Sequence, residues 1–158
     1  MTPLLLTSPT FAPGCPIPRR HTGFEADLSP ALCLSGLTPE AVSLAVTMDD
    51  LDVPFTKIYS HWLIWNLPPA AELPEGIPHG QTLPELGGAV QGIGYGRHGY
   101  RGPYPPPFLR APHRYLFQVY ALDCRLELSP RIRRAALLSA MQGHILQEAS
   151  LLGTFQRT

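Results

Sequence analysis

A chain of 158 residues suits one domain that buries roughly two thirds of the surface its unfolded form exposes, so neither disulfides nor a metal is needed to hold it. A hydrophobic fraction of 44% against a charged fraction of 15% excludes a disordered polyelectrolyte. Twelve basic and twelve acidic residues leave no net charge, which removes the electrostatic footprint of a nucleic-acid-binding protein.

The opening residues MTPLLLTSP have an early proline and no basic start, unlike a signal peptide, and no later run reaches the ~20 apolar residues of a membrane span. Cys15, Cys33 and Cys124 are odd in number and form no CxxC pair. That pattern predicts free thiols in a reducing, cytoplasmic setting rather than a disulfide framework or a zinc site. From residue 4 to residue 37, short apolar pieces alternate with Pro9, Pro13-Gly14, Pro16, Pro18, Gly23, Pro30 and Gly36, which predicts short strands and loops at a sheet periphery.

Val42, Leu44, Val46 and Met48 then alternate with Ser43, Ala45 and Thr47, the period of a half-buried strand. The strand runs into an acidic corner, DDLDVP, holding Asp49, Asp50, Asp52 and Pro54. His61 to Leu67 reads HWLIWNL, apolar on both faces apart from His61 and Asn66, and predicts a central strand with a histidine at its entrance. Residues 68–99 are rich in proline and glycine and predict an extended connection with one short helical turn.

The stretch from Tyr100 to Asp123 has two halves. Proline lacks a backbone donor and fixes φ, so YRGPYPPPFLRAP predicts a stiff loop, while Tyr115 to Leu122 packs β-branched and aromatic residues into a buried strand. Beyond it, Ser129 as cap and Pro130 at the first position, followed by apolar residues at helical spacing, predict an amphipathic helix over 130–150. Gly143 inside that helix marks a close approach to another element, and Leu151 to Phe155 predict a terminal strand. The whole reads as one mainly β domain over 1–158 with one late helix.

Asp50, Asp52, His61, His113, Arg114 and Tyr115 are the polar candidates, drawn from three segments that begin or end strands. Aspartate and histidine gathered in a cleft hold an anion when the imidazoles donate and the carboxylates fix their tautomers. The same residues have plainer uses: the aspartates fit a turn, and Arg114 suits a structural ion pair with Asp50 or Asp123. Arg131, Arg133 and Arg134 read as a solvated helix face. A metal held by the DxD string with His61 and His113 is a weak signal, since that string is short and common. No GxSxG elbow is present and the cysteines sit away from the histidine segments, so nothing marks a nucleophile.

DDLDVP, then HW at His61-Trp62, then GPYPPP, then HRY at His113 to Tyr115 followed by FQVYALD, resemble in that order the phosphatidylethanolamine-binding protein family. The likeness is greatest to its bacterial and archaeal, Raf-kinase-inhibitor-like branch. LTSPTF, IPRRHTG, LSPALCLSG and QGHILQEASLLGTF extend it over nearly the whole chain. The resemblance implies an antiparallel β-sandwich with Greek-key connections, a C-terminal helix and a small anion pocket. It assigns ligand binding to Asp50, Asp52, His61, His113 and Tyr115, with Pro54, Gly102, Tyr104, Pro105 and Pro106 around them, no cofactor and no metal. A cis bond at Val53-Pro54 is a further expectation from it.

The implied activity is non-enzymatic binding of a small anion, phosphate or phosphoryl-ethanolamine-like head group, and it admits a phosphoprotein or kinase partner and a homodimer. A hydrolase or lyase built on the Asp and His groups, and an interaction protein with a vestigial pocket, stay open beside it. Three departures from the family pattern stand out: Leu51 in place of the first proline of DPDAP, Tyr104 in place of a small residue, and Leu34 in place of a tryptophan.

Overall fold

A computed structural model describes residues 3–158 and shows two antiparallel sheets. The smaller joins β1 (Leu5–Thr7), β2 (Leu32–Ser35) and β5 (Glu72–Leu73) in the order β1-β2-β5. The larger contains β3 (Ser43–Val53), β4 (Lys57–Leu67), β6 (Thr82–Leu83), β7 (Ala89–Gln91), β8 (His113–Leu122) and β9 (Ile145–Phe155), in the order β6-β7-β4-β3-β8-β9. Strands β3, β4 and β7 lie side by side, and β8 returns by the long 92–112 connection to pair with β3. That is Greek-key order, and the expected mainly β sandwich is the fold.

The proline-punctuated N-terminal third supplies β1 and β2, and so most of the second layer rather than a periphery. Leu6, Leu32 and Leu34 from this layer pack with Leu44, Val46, Met48, Trp62, Ile64 and Phe117 of the large sheet. The opposite face of the large sheet is covered too. Ala45, Leu63, Trp65, Tyr120 and Leu122 pack there against Leu126, Leu137 and Met141. Residues 43–50 of β3 are consequently buried without a break, and the half-buried strand expected from its alternation is a fully buried one. Ser43 and Thr47 look like solvent-facing positions only because the covering comes from Leu126, Leu137 and Met141, far later in the chain.

The helix differs from expectation. The α-helix α1 spans Arg134–Met141, eight residues, and Ser129 accepts the Arg131 N–H in the preceding turn instead of capping it. Gly143, at φ +82, takes the left-handed conformation that ends a helix at low cost and turns the chain back. From Ile145 the chain pairs with β8 along its whole length, and that ladder overrides the local helical spacing of Leu146, Ala149 and Ser150. No described peptide bond is cis, so Val53-Pro54 is trans. The reversal between β3 and β4 is made instead by positive φ at Phe55 and Lys57.

Arg134 does not stand free on a solvated helix face. Its Nε donates to both carboxylate oxygens of Asp49, at 3.1 and 3.2 Å, across the face of the sheet that α1 covers. Asp49 is 1% exposed, and burial pushes its carboxyl above the usual aspartate range while Arg134 pulls it back. Removing the guanidinium strands a buried carboxylate. Arg134→Ala is expected to cost about 2–3 kcal/mol in chemical denaturation, less than the ~3–5 kcal/mol of a fully buried pair because Arg134 is partly solvated. Adding Asp49→Asn to that variant recovers at least half of the loss; no recovery would mean that the cost is packing and not charge.

Candidate functional site

The acidic corner sorts itself by strand geometry. Side chains alternate across a strand, so Asp49 faces α1 while Asp50 and Asp52 lie on the opposite face. Asp50 sits opposite Tyr115 on β8, with His113 two residues further along the same face. The Asp50 carboxylate therefore reaches His113 diagonally, and His113 Nδ1–H donates to Asp50 Oδ2 at 2.8 Å. The other oxygen, Oδ1, accepts the Asp52 N–H at 2.9 Å, which is the turn-type bond expected of an aspartate here.

His61 arrives by a different device. The β3–β4 register passes from Met48↔Trp62 to Asp49↔Ser60, leaving His61 as the extra residue of a β-bulge. A bulge re-aims a side chain, and here it sets the imidazole among Tyr95, Tyr115 and Tyr59, with ring centroids 4.9, 5.5 and 5.9 Å away. His61 Nδ1–H donates to the Arg101 carbonyl at 2.7 Å. Burial pulls its pKa below 6.5, partly opposed by that carbonyl and by Asp50, so the ring is neutral at pH 7.

Asp50, His61, Tyr104, Pro105, Pro106, His113 and Tyr115 line one cavity of about 300 Å³. Asp50, His61 and His113 are each 3–4% exposed. Neither histidine has a protein partner at Nε2 among the described residues. The Tyr115 hydroxyl is buried with no hydrogen-bond partner, and burial together with the Asp50 charge raises its pKa well above the tyrosine range. It is a neutral donor at any physiological pH. The site thus offers one carboxylate, two imidazoles with a free nitrogen each and the buried, unpartnered phenol of Tyr115.

Three residues expected beside the cavity lie elsewhere. Asp52 and Pro54 line the neighbouring groove with Phe108 and Arg110. There Asp52 takes a two-pronged ion pair from Arg114, at 3.0 Å from Nε and 2.9 Å from Nη2, and the Arg114 N–H as well. Arg114 thus pairs with Asp52 and not with Asp50 or Asp123, and its guanidinium holds the Asp52 carboxyl below the usual range. Gly102 is behind the wall. Its N–H donates to Asp27 Oδ1 at 2.8 Å, and a Cβ there would overlap the His21 carbonyl, so the position needs glycine for closeness.

Tyr104 does not plug the cavity. Its ring lies against Phe24 at 4.9 Å between centroids, with the Arg101 guanidinium 4.9 Å from its centre. Gly23 makes room for it, since a Cβ there would sit 2.7 Å from the Tyr104 ring. Sequence reasoning missed Val53, Tyr59, Tyr95 and Leu109, which complete the lining, and Asp27, which pins the Arg101-Gly102 loop from the N-terminal segment. Tyr95 stands in a glycine-rich run without periodicity, and Asp27 looks like any loop carboxylate.

The sequence profile of the family described as phosphatidylethanolamine-binding protein matches residues 7–156. A UPF0098 protein of Methanothermobacter thermautotrophicus is 44% identical over 143 residues, covering 89% of this chain and 91% of the relative. A UPF0098 protein of Chlamydia muridarum is 40% identical over 158 residues, covering 96% and 98%. Among solved structures, a phosphatidylethanolamine-binding protein homologue from Chlamydia trachomatis aligns with a TM-score of 0.86 at 36% identity, over 99% of both chains. E. coli YbcL, described as a member of the mammalian PEBP family, gives 0.85 at 25% identity, over 99% of this chain and 100% of its own.

Burial lowers the pKa of a second histidine, His21, which bonds Leu28 O and Thr10 beneath the loop that holds Gly102. For both rings the folded value lies below the 6.5 of an unfolded histidine, so acidification protonates the unfolded chain first. Stability is therefore expected to be full above pH 7 and to fall as pH drops through 6.5 toward 5, with His61→Gln flattening part of the slope. Melting temperatures that hold constant or rise over this interval would contradict the assignment.

Proposed function

The chain belongs to the phosphatidylethanolamine-binding protein family, and from that membership we propose that it binds a small anion or phosphoryl head group between His61 and His113. The observation that carries the reading is the pair of imidazoles. Each spends Nδ1–H on a protein acceptor, Arg101 O or Asp50 Oδ2, and keeps Nε2 for whatever enters the cavity. When protonated, both present Nε2–H donors, and the Tyr115 hydroxyl adds a third. Val53, Leu109, Pro105 and Pro106 give the rest of the lining an apolar character suited to the carbon part of such a ligand.

Binding rather than turnover is the favoured activity. The lining contains no Ser, Thr, Cys or Lys to act as nucleophile. At about 300 Å³ the cavity suits a head group and not a whole lipid. The partner of first choice is therefore a small soluble phosphoryl compound or an exposed phosphoryl group on a larger molecule.

Because His61 is neutral at pH 7, anion binding is coupled to proton uptake. Affinity for sulfate, whose own charge is fixed in this range, is expected to rise as pH is lowered from 8 to 6, by up to about tenfold per unit for one proton taken up. Titration calorimetry with sulfate and with phosphoryl-ethanolamine measures this directly. His61→Gln and His113→Ala should each weaken binding by about tenfold or more, the worth of one charge-assisted hydrogen bond. No binding at millimolar ligand would sink the proposal, and hydrolysis of an aryl phosphate that disappears in Asp50→Asn would replace it with an enzyme.

A further inference from the structure

At the far end of β8 from the cavity, three side chains of ligand type meet. Asp123 and Cys124 follow the last residue of β8, and His144 immediately precedes β9. The ten residues of β8 put them roughly 30 Å from the His113 end. One donor atom from each of Asp123, Cys124 and His144 lies within 4.8 Å of the other two. His144 Nδ1–H donates to Asp123 Oδ1 at 2.9 Å. Cys124 thus stands beside a histidine after all, brought there by the pairing of β8 with β9 and not by any spacing in the sequence.

The backbone under this cluster is fixed. Asp123 N–H donates to the His144 carbonyl at 3.0 Å, and His144 N–H donates to the Met141 carbonyl at 3.0 Å. The Ser43 hydroxyl donates to the Cys124 carbonyl at 2.6 Å. Gly143, with its left-handed φ of +82, is what lets His144 follow the end of α1 and still reach Asp123. The Asp123 and His144 side chains are 45% and 46% exposed, so their positions can adjust while their Cα atoms stay put.

The geometry points to a second site, for a thiophilic divalent cation of the zinc class, with Asp123, Cys124 and His144 as three ligands and a fourth position open to solvent. A carboxylate and a thiolate together supply the two negative charges that one such cation neutralises, and an imidazole adds a neutral third donor. Tetrahedral zinc with bonds of about 2.0–2.3 Å places its donors roughly 3.3–3.8 Å apart, which rotation of the two exposed side chains reaches from the present spacing. On binding, the His144 proton moves to Nε2 and the thiol proton leaves to solvent. Magnesium and calcium prefer all-oxygen shells and are poor candidates.

Titration of the whole chain with Zn²⁺ by calorimetry, and with Co²⁺ by absorption, is expected to give one bound equivalent with a thiolate-to-cobalt charge-transfer band. Cys124→Ser and His144→Ala should each weaken binding by more than about tenfold. His61→Gln on β4 and His113→Ala at the opposite end of β8 should leave it unchanged. Cys15 and Cys33 are also free thiols, so mass-resolved alkylation of the unaltered chain adds a reading that needs no variant. Zn²⁺ should slow labelling of Cys124 and not of Cys15. Binding that survives Cys124→Ser, labelling of Cys124 that ignores Zn²⁺, or no binding at millimolar metal would each overturn the site.

Discussion

A carboxylate buried to 4% exposure needs a donor for each oxygen, and Asp50 finds one on its own strand and one on the next. The Asp52 N–H holds the first oxygen and so fixes the end of β3. The His113 Nδ1–H holds the second and so fixes the start of β8 and the tautomer of the ring. A carboxylate without these bonds would be costly to bury, by roughly the several kcal/mol that an unpaired charge demands even after relaxation. The cavity is therefore a consequence of how the fold satisfies Asp50. Once His113 is oriented by Asp50, its remaining nitrogen has only the cavity to turn to.

The large sheet leaves little choice about where such a site can form. Covered by the second sheet on one face and by α1 and its flanking loop on the other, its strands have room for polar side chains chiefly at their ends. The β-bulge at His61 and the proline-rich loop after Tyr100 both lie at one end, and the β8–β9 junction with Asp123, Cys124 and His144 lies at the other. Two chemically different clusters can coexist at the two ends of one strand because the seven mostly apolar residues Leu116 to Leu122 stand between them. Aqueous screening adds to that isolation, since charges more than a Debye length of about 8–10 Å apart interact weakly.

Much of this was legible in residue types and little in long-range contacts. Proline in GPYPPP and the run YLFQVYAL mark a stiff loop and a strand because each residue's own backbone preference says so. The alternation in 42–48 gives a strand for the same reason, but not its second buried face, which depends on Leu126, Leu137 and Met141. Residues 145–150 read as helix because Ala, Leu, Gln and Glu favour helix locally, and only the ladder to β8 makes them the first half of the strand that Leu151 to Phe155 complete. In the site, the imidazoles and carboxylates carry a sequence signature. Asp27, Tyr95 and the Arg101 carbonyl do not, because a backbone carbonyl has no letter and a loop residue no period.

For the binding proposed above, the charge balance of the cavity sets what a ligand must supply. Its lining contains Asp50 and no Lys or Arg, since Arg101 is engaged with Asp27 and the rings of Tyr95 and Tyr104. Two unit charges 4 Å apart interact by about 4 kcal/mol at an effective dielectric of 20, so one imidazolium does little more than cancel the repulsion of Asp50. Net attraction for a dianion is therefore modest even after one proton is taken up, and a ligand that brings its own hydrogen to the carboxylate gains more. A phosphoryl group with an attached ammonium or hydroxyl meets that second condition, because the same molecule offers an acceptor to the imidazoles and a donor to Asp50. Tyr104 bears on this point. Held against Phe24, its ring lines the cavity of about 300 Å³ without filling it.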